Sequence, residues 1–309
     1  MIHAMAMSPM SVPVRGALAA AVTPLNDGGD QVDVRAIAPL VDFYCTAGLD
    51  GLLILGTTGE GVLLSPDERR VVAEEYLACS RDRLPIVVHC GAQSTRDTAA
   101  LAEHAALREA AGVAVIPPPY YALDAAAILK HLATAAAACA PTRFYIYEFA
   151  ARSGYAVPLS VVHELRQKAP NFVGLKVSDS PYESVQPYLI EGLDVFIGFE
   201  ELIHEGLRAG AAGAVSGLAA ALPEVTLEAV RTGSTAGSAR AGRVRSAIQR
   251  FPFQAALKLI LQRRGVAVDA AVRAPLRALD ATEREDLGQY LDDPGADVAA
   301  LLRARPSPR

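Results

Sequence analysis

The 309 residues contain no tryptophan and only four lysines, Lys130, Lys168, Lys176 and Lys258, against 25 arginines. Each lysine therefore has to be placed individually. The four cysteines, Cys45, Cys79, Cys90 and Cys139, form no C-x-x-C pair, which excludes a disulfide framework and a Cys-pair zinc site and leaves them as small hydrophobes of a reducing compartment. His89 beside Cys90 makes no metal centre, because adjacent strand residues point to opposite faces and no third ligand is spaced to join them. The net charge is −5, so no global positive field attracts nucleic acid and a small molecule is the expected partner. No uninterrupted apolar run of about 18 residues exists to cross a membrane.

All four methionines fall in the first ten residues. Residues 1–13 are read as a loose leader. They lack a charged segment followed by an apolar stretch, so they do not form a secretion signal and the expected location is cytoplasmic. No G-x-G-x-x-G follows the first apolar run, which removes the main support for a dinucleotide fold.

What the sequence does contain is one repeated unit: a short apolar run, a polar or glycine-bearing loop, then a stretch with helical spacing. Eight strands are expected, at Gly16 to Ala21, Gly51 to Leu55, Pro85 to His89, Gly112 to Ile116, Arg143 to Tyr147, Phe172 to Val177, Asp194 to Gly198 and Ala212 to Ser216. Helices are expected at Val34 to Ala47, Pro66 to Cys79 and Thr95 to Ala110, the second capped by Ser65 with Glu68 three residues on. Eight such units fit a (β/α)₈ barrel, a fold of roughly 250 residues. The barrel is assigned to residues 14–221. Residues 222–309 read as an appended helical region, including Phe253 to Arg263 and Ala281 to Leu291, with a frayed end from Arg303.

In such a barrel the chemistry sits at the carboxyl ends of the strands. Lys176 ends the sixth apolar run, where burial disfavours the ammonium form and favours attack on a ketone or aldehyde carbon. The competing reading is a strand-end lysine reaching out to solvent. The other three lysines lie in helical stretches where a solvated role suffices. After the second strand, Gly56-Thr57-Thr58-Gly59-Glu60 offers hydroxyls and backbone N–H groups for a carboxylate, or simply a turn. Tyr147 ends the fifth strand as a proton carrier or as core. Arg152 follows it as a carboxylate clamp or a surface ion pair. Pro117-Pro118-Pro119 projects Tyr120 and Tyr121 beyond the barrel mouth, toward catalysis or a contact between subunits.

Taken together these residues resemble the family of dihydrodipicolinate synthase and N-acetylneuraminate lyase, over roughly Val14 to Leu291. Pro24, Gly198 to Glu200 and Arg273-Ala274-Pro275-Leu276 support the match. The resemblance implies a Schiff base on Lys176 with pyruvate or another 2-keto acid, an aldehyde as second reactant, no metal or organic cofactor, and a homo-oligomer, a dimer or a tetramer of dimers. It further implies that Thr57 and Thr58, with Gly56, hold the carboxylate. Thr57, Tyr147 and Tyr121 would relay protons, Tyr121 in the adjacent subunit's site. Arg152 matches the position at which the synthase binds the aldehyde's carboxylate, and Glu148 and Ala150 stand where the synthase has Asn and Pro, which puts Glu148 on the second-substrate side. Dihydrodipicolinate synthase is the leading activity. The alternatives are a 2-keto-3-deoxy sugar-acid or hydroxy-oxoglutarate aldolase or dehydratase, and a keto-acid-binding barrel without turnover.

Overall fold

Alternation along each apolar run sorts its side chains into two cores. In a computed structural model describing residues 14–293, 295–298 and 301, eight parallel strands close into a barrel. They are β1 (Gly16–Ala20), β2 (Gly51–Ile54), β3 (Ile86–His89), β4 (Gly112–Val115), β5 (Phe144–Glu148), β6 (Phe172–Val177), β7 (Asp194–Ile197) and β8 (Gly213–Ser216). Each strand pairs with its neighbours in sequence, and β8 returns to β1. The leader assigned to residues 1–13 and the stretch from Arg303 lie outside the described residues.

One set of alternating residues, including Leu18, Leu53, Val87, Tyr145, Phe196 and Val215, fills the barrel interior. The other, including Leu52, Ile54, Val113, Ile146, Leu175 and Val177, packs against the surrounding helices. Strands buried on both faces carry apolar residues almost without a break, so composition marks the strands and alternation decides the side. The observed boundaries fall within one residue of the expected ones at every strand end.

Five of the described α-helices start at a side-chain cap, from Ser65, Ser94, Asp124, Ser234 and Asp280. Pro66–Ser80 opens on a complete capping box between Ser65 and Glu68, which satisfies two N–H groups that the first turn leaves open. The helix expected from Val34 begins instead as a short 3₁₀ turn, Val34–Ala36, before Ile37–Ala47. A two-residue hairpin, Leu25–Asn26 with Gln31–Val32, was too short to leave a periodic signal.

After β8 come the helices Pro223–Thr232, Thr235–Gln249, Phe253–Arg263 and Ala281–Asp292. Phe253–Arg263 corrects one expectation. Lys258 is not solvated but fully buried, with Nζ donating at 2.6 Å to Glu60 and at 2.6 Å to the Ala271 carbonyl. A carboxylate 198 positions earlier in the chain compensates the charge, so an apolar helix face can carry it. None of the described helices is long and apolar enough to cross a membrane.

Candidate active site

The register of β5 against β6 sets Tyr147 opposite Lys176. Their outer neighbours Ile146, Leu175 and Val177 belong to the helix-facing core, so both polar residues point inward at the carboxyl end of the barrel. There they line a cavity of about 700 Å³ together with Thr57, Thr58 and Arg152. Lys176 is 8 % exposed and its Nζ lies 3.7 Å from the centre of the Tyr147 ring. The Tyr147 hydroxyl is 3.1 Å from Thr57 Oγ1. An amine, a phenol and a threonine hydroxyl thus stand side by side in the cavity wall.

Burial alone would push the Tyr147 phenol up. The positive charge of Lys176, 3.7 Å from the ring centre, and the hydrogen bond with Thr57 outweigh it and hold the group below the ordinary phenol value. A phenol shifted that way exchanges protons more readily near neutrality. Beneath it, His89 lies edge-to-face with the Tyr147 ring at 5.8 Å. Burial, reinforced by the positive charges of Arg69 and Lys176, lowers the imidazole to about 3, so it stays neutral. Its Nδ1 is 3.0 Å from the Leu55 carbonyl, an acceptor only, which places the proton on Nδ1. The buried Arg69 guanidinium donates to the carbonyls of His89 and Gly91 and fixes the end of β3.

The loop after β2 is held in an unusual shape. Leu55 and Glu60 have positive φ, 60° and 57°, which side chains rarely adopt without compensation from their surroundings. A Cβ on Gly61 would stand 1.9 Å from the Leu55 carbonyl oxygen, so only glycine permits the loop to fold back on itself. The tail completes the hold. Glu60 accepts from Lys258 and from the Arg273 N–H, and Gln254 Nε2 donates at 3.2 Å to the Thr57 carbonyl. Nothing local in the sequence announced these partners.

Of the residues singled out from sequence, the fold brings Lys176, Tyr147, Thr57, Thr58 and Arg152 to one cavity. Arg152 is exposed there, with its guanidinium 5.7 Å from the Phe149 ring centre. Gly56 is buried but does not line the cavity, and its carbonyl accepts the Gly61 N–H. Tyr121 is 71 % exposed, packs edge-on against Tyr120 and does not enter this chain's own cavity.

Glu148 is a correction. As the neighbour of the inward-facing Tyr147 it points outward between β5 and the helix layer, fully buried, and its Oε2 accepts the Val157 N–H at 2.9 Å. It therefore does not face the second-substrate side. Burial, with help from the nearby Asp179 and against the Val157 hydrogen bond, raises its carboxyl well above the usual carboxylate range. The native state then holds a proton that the unfolded chain releases at the ordinary value. Stability is complete below that value and falls as pH rises from it through the raised one. Glu148→Gln is expected to flatten this loss in denaturant midpoints measured from pH 4 to 9, and an unchanged slope would contradict the protonated reading.

Strand count, closure and a polar cluster at the carboxyl end define an enzyme barrel of the (β/α)₈ class. The chain belongs to the dihydrodipicolinate synthetase family, whose sequence model matches residues 13–293. An uncharacterised DapA-like lyase of Halobacterium salinarum is 33% identical over 283 residues, covering 87% of this chain and 90% of that one. The 4-hydroxy-tetrahydrodipicolinate synthase of Salinibacter ruber is 30% identical, covering 71% and 73%. Among solved structures, the N-acetylneuraminate lyase of Proteus mirabilis superimposes with a TM-score of 0.83 at 28% identity, covering 94% of this chain and 99% of the other. The protein is accordingly a lyase of this family, of the aldolase type.

Proposed function

We propose that the protein makes or breaks a carbon–carbon bond between pyruvate and an aldehyde through an imine on Lys176. The carrying observation is the placement of a shielded amine 3.7 Å from the ring centre of Tyr147, whose hydroxyl reaches Thr57 at 3.1 Å. In the synthetic direction Lys176 Nζ attacks the ketone carbon, and loss of water leaves the imine. Thr57 and Thr58, with the backbone N–H groups of their loop, hold the carboxylate. Removal of a proton from the methyl carbon gives an enamine that attacks the aldehyde, and hydrolysis of the new imine frees the amine. Tyr147 and Thr57 carry the protons, joined by Tyr121 from a second copy of the chain in a homo-oligomer. The exposure of Tyr120 and Tyr121 supports that contact.

The leading named activity is that of 4-hydroxy-tetrahydrodipicolinate synthase, with Arg152 on the carboxylate of aspartate semialdehyde. The outward turn of Glu148 supports it by removing an acid from that side. A second reading, cleavage of a 2-keto-3-deoxy sugar acid or a hydroxy-oxoglutarate, is favoured by comparable identity to a sialic-acid-cleaving relative, the mouse N-acetylneuraminate lyase, at 32%. Turnover of pyruvate with aspartate semialdehyde, set against cleavage of a panel of 2-keto-3-deoxy acids, separates the two, and activity confined to the panel would overturn the synthase assignment. Tyr147→Phe is expected to lower kcat about 10²- to 10³-fold while imine formation, read by reductive trapping and intact mass, persists. Full activity in that variant would remove Tyr147 from the proton path.

A further inference from the structure

Val87 belongs to the barrel interior and Val88 to the helix-facing core, so the period of two along β3 turns His89 inward, toward the layer that holds Tyr147. The imidazole is 2 % exposed and does not line the cavity. Substrate in the cavity therefore does not touch it. It does not exchange protons near neutrality either, because burial, with the positive charges of Arg69 and Lys176, keeps it uncharged. Whatever it contributes to the reaction must pass through its neighbours.

Those neighbours stand at the ends of adjoining strands. Nδ1–H donates at 3.0 Å to the carbonyl of Leu55, just after β2. Nε2 accepts the N–H of Ile116, just after β4, at 3.4 Å. The ring itself meets Tyr147 on β5 with centres 5.8 Å apart and planes at 85°. With both nitrogens engaged, the tautomer and the ring plane are fixed. The fit is close, since a Cβ on Gly91 would stand 2.9 Å from Nε2, and glycine at that position leaves the imidazole its room. Arg69 holds the carbonyls of His89 and Gly91 in place.

Two of these contacts converge on one hydrogen bond. Leu55, whose carbonyl the imidazole holds, is the positive-φ residue from which the chain turns toward Thr57 two positions on, a conformation that depends on support from outside the turn. Tyr147, whose ring the imidazole meets, carries the hydroxyl 3.1 Å from Thr57 Oγ1. One side chain thus braces the phenol and the turn that delivers its partner.

We infer that His89 is a positioning residue for proton transfer, setting the placement of the Tyr147 hydroxyl against Thr57 without touching substrate. The inference rests on the proposed imine chemistry and assigns the residue to one phase of it, the removal and return of a proton at the methyl carbon beside the imine. Lys176 makes no hydrogen bond to the imidazole and is held by the ladders of β6 with β5 and β7, so imine formation itself should not depend on His89.

The test separates these two phases in the intact protein. Borohydride trapping with intact mass reads imine formation. Loss of the pyruvate methyl signal in deuterium oxide, followed by proton NMR, reads exchange through the enamine. His89→Phe keeps a ring beside Tyr147 but has no N–H for Leu55, whereas His89→Asn keeps a neutral N–H and gives up the ring. Each is expected to exchange at least about tenfold more slowly than the wild type at saturating pyruvate, with the concentration for half-maximal trapping within about twofold. Should His89→Phe fail to fold by circular dichroism, His89→Asn carries the test. Exchange at the wild-type rate in a folded variant would overturn the inference. So would exchange and trapping that weaken by the same factor, the mark of a site loosened as a whole, or loss of the fold in both variants, which would make the residue a requirement of the barrel. A wild type that traps pyruvate without exchanging its protons would overturn it as well. A wild type that does not trap pyruvate would instead remove the imine reading itself, and this inference with it.

Discussion

Lys176→Ala is expected to lower kcat/KM by about 10⁴-fold or more and to abolish covalent labelling by pyruvate and borohydride, with the circular dichroism spectrum unchanged. The expectation follows from how the residue is held. Its neighbours Leu175 and Val177 anchor β6 in the helix-facing core, and the strand keeps its ladder with β5 and β7 through the backbone. What the alanine removes is the amine facing Tyr147, together with a charge that holds the phenol below its ordinary value. No other lysine can substitute. Lys130 and Lys168 are exposed on helices, and Lys258 is locked to Glu60. A variant that unfolds, or that still takes a label, would contradict this division between reaction and packing.

The second large effect is on stability. Lys258→Met is expected to cost about 3–5 kcal/mol, because removing one member of a buried pair leaves the other charge without compensation. Both side chains are fully buried, so water cannot make up the loss. The double variant Glu60→Gln/Lys258→Met removes both charges and keeps an acceptor for the Arg273 N–H. It should therefore lie closer to the wild type than Lys258→Met does in denaturant midpoint. Equal losses in the single and double variants would show that the pair matters for its shape and not for its charge. The same clamp bears on the site, since Glu60 lies two residues after Thr58 and ties that loop to the tail. The single variant should also raise the pyruvate concentration needed for half-maximal trapping.

Much of this architecture can be read from the chain because a (β/α)₈ barrel repeats one local pattern eight times. Each strand is an apolar run closed by a loop, and Lys176 stands out because lysine is scarce and this one alone ends a strand. The period of two that puts Tyr147 inside also puts Glu148 outside. Residue matching to the synthases pointed the other way, and the alternation proved the better guide. Closure of the site was not readable. Glu60 meets Lys258 across 198 positions and Thr57 meets Gln254 across 197, contacts that depend on how the last helices pack over the barrel. For the same reason Lys258 looked like one more surface cation.

Peptide mapping after reduction of the pyruvate complex tests the account most directly. The account predicts one added pyruvate-derived group per chain, carried by the peptide that holds Lys176 and absent in Lys176→Ala. A wild-type protein that gains no mass, or that carries the group on Lys130, Lys168 or Lys258, would contradict it.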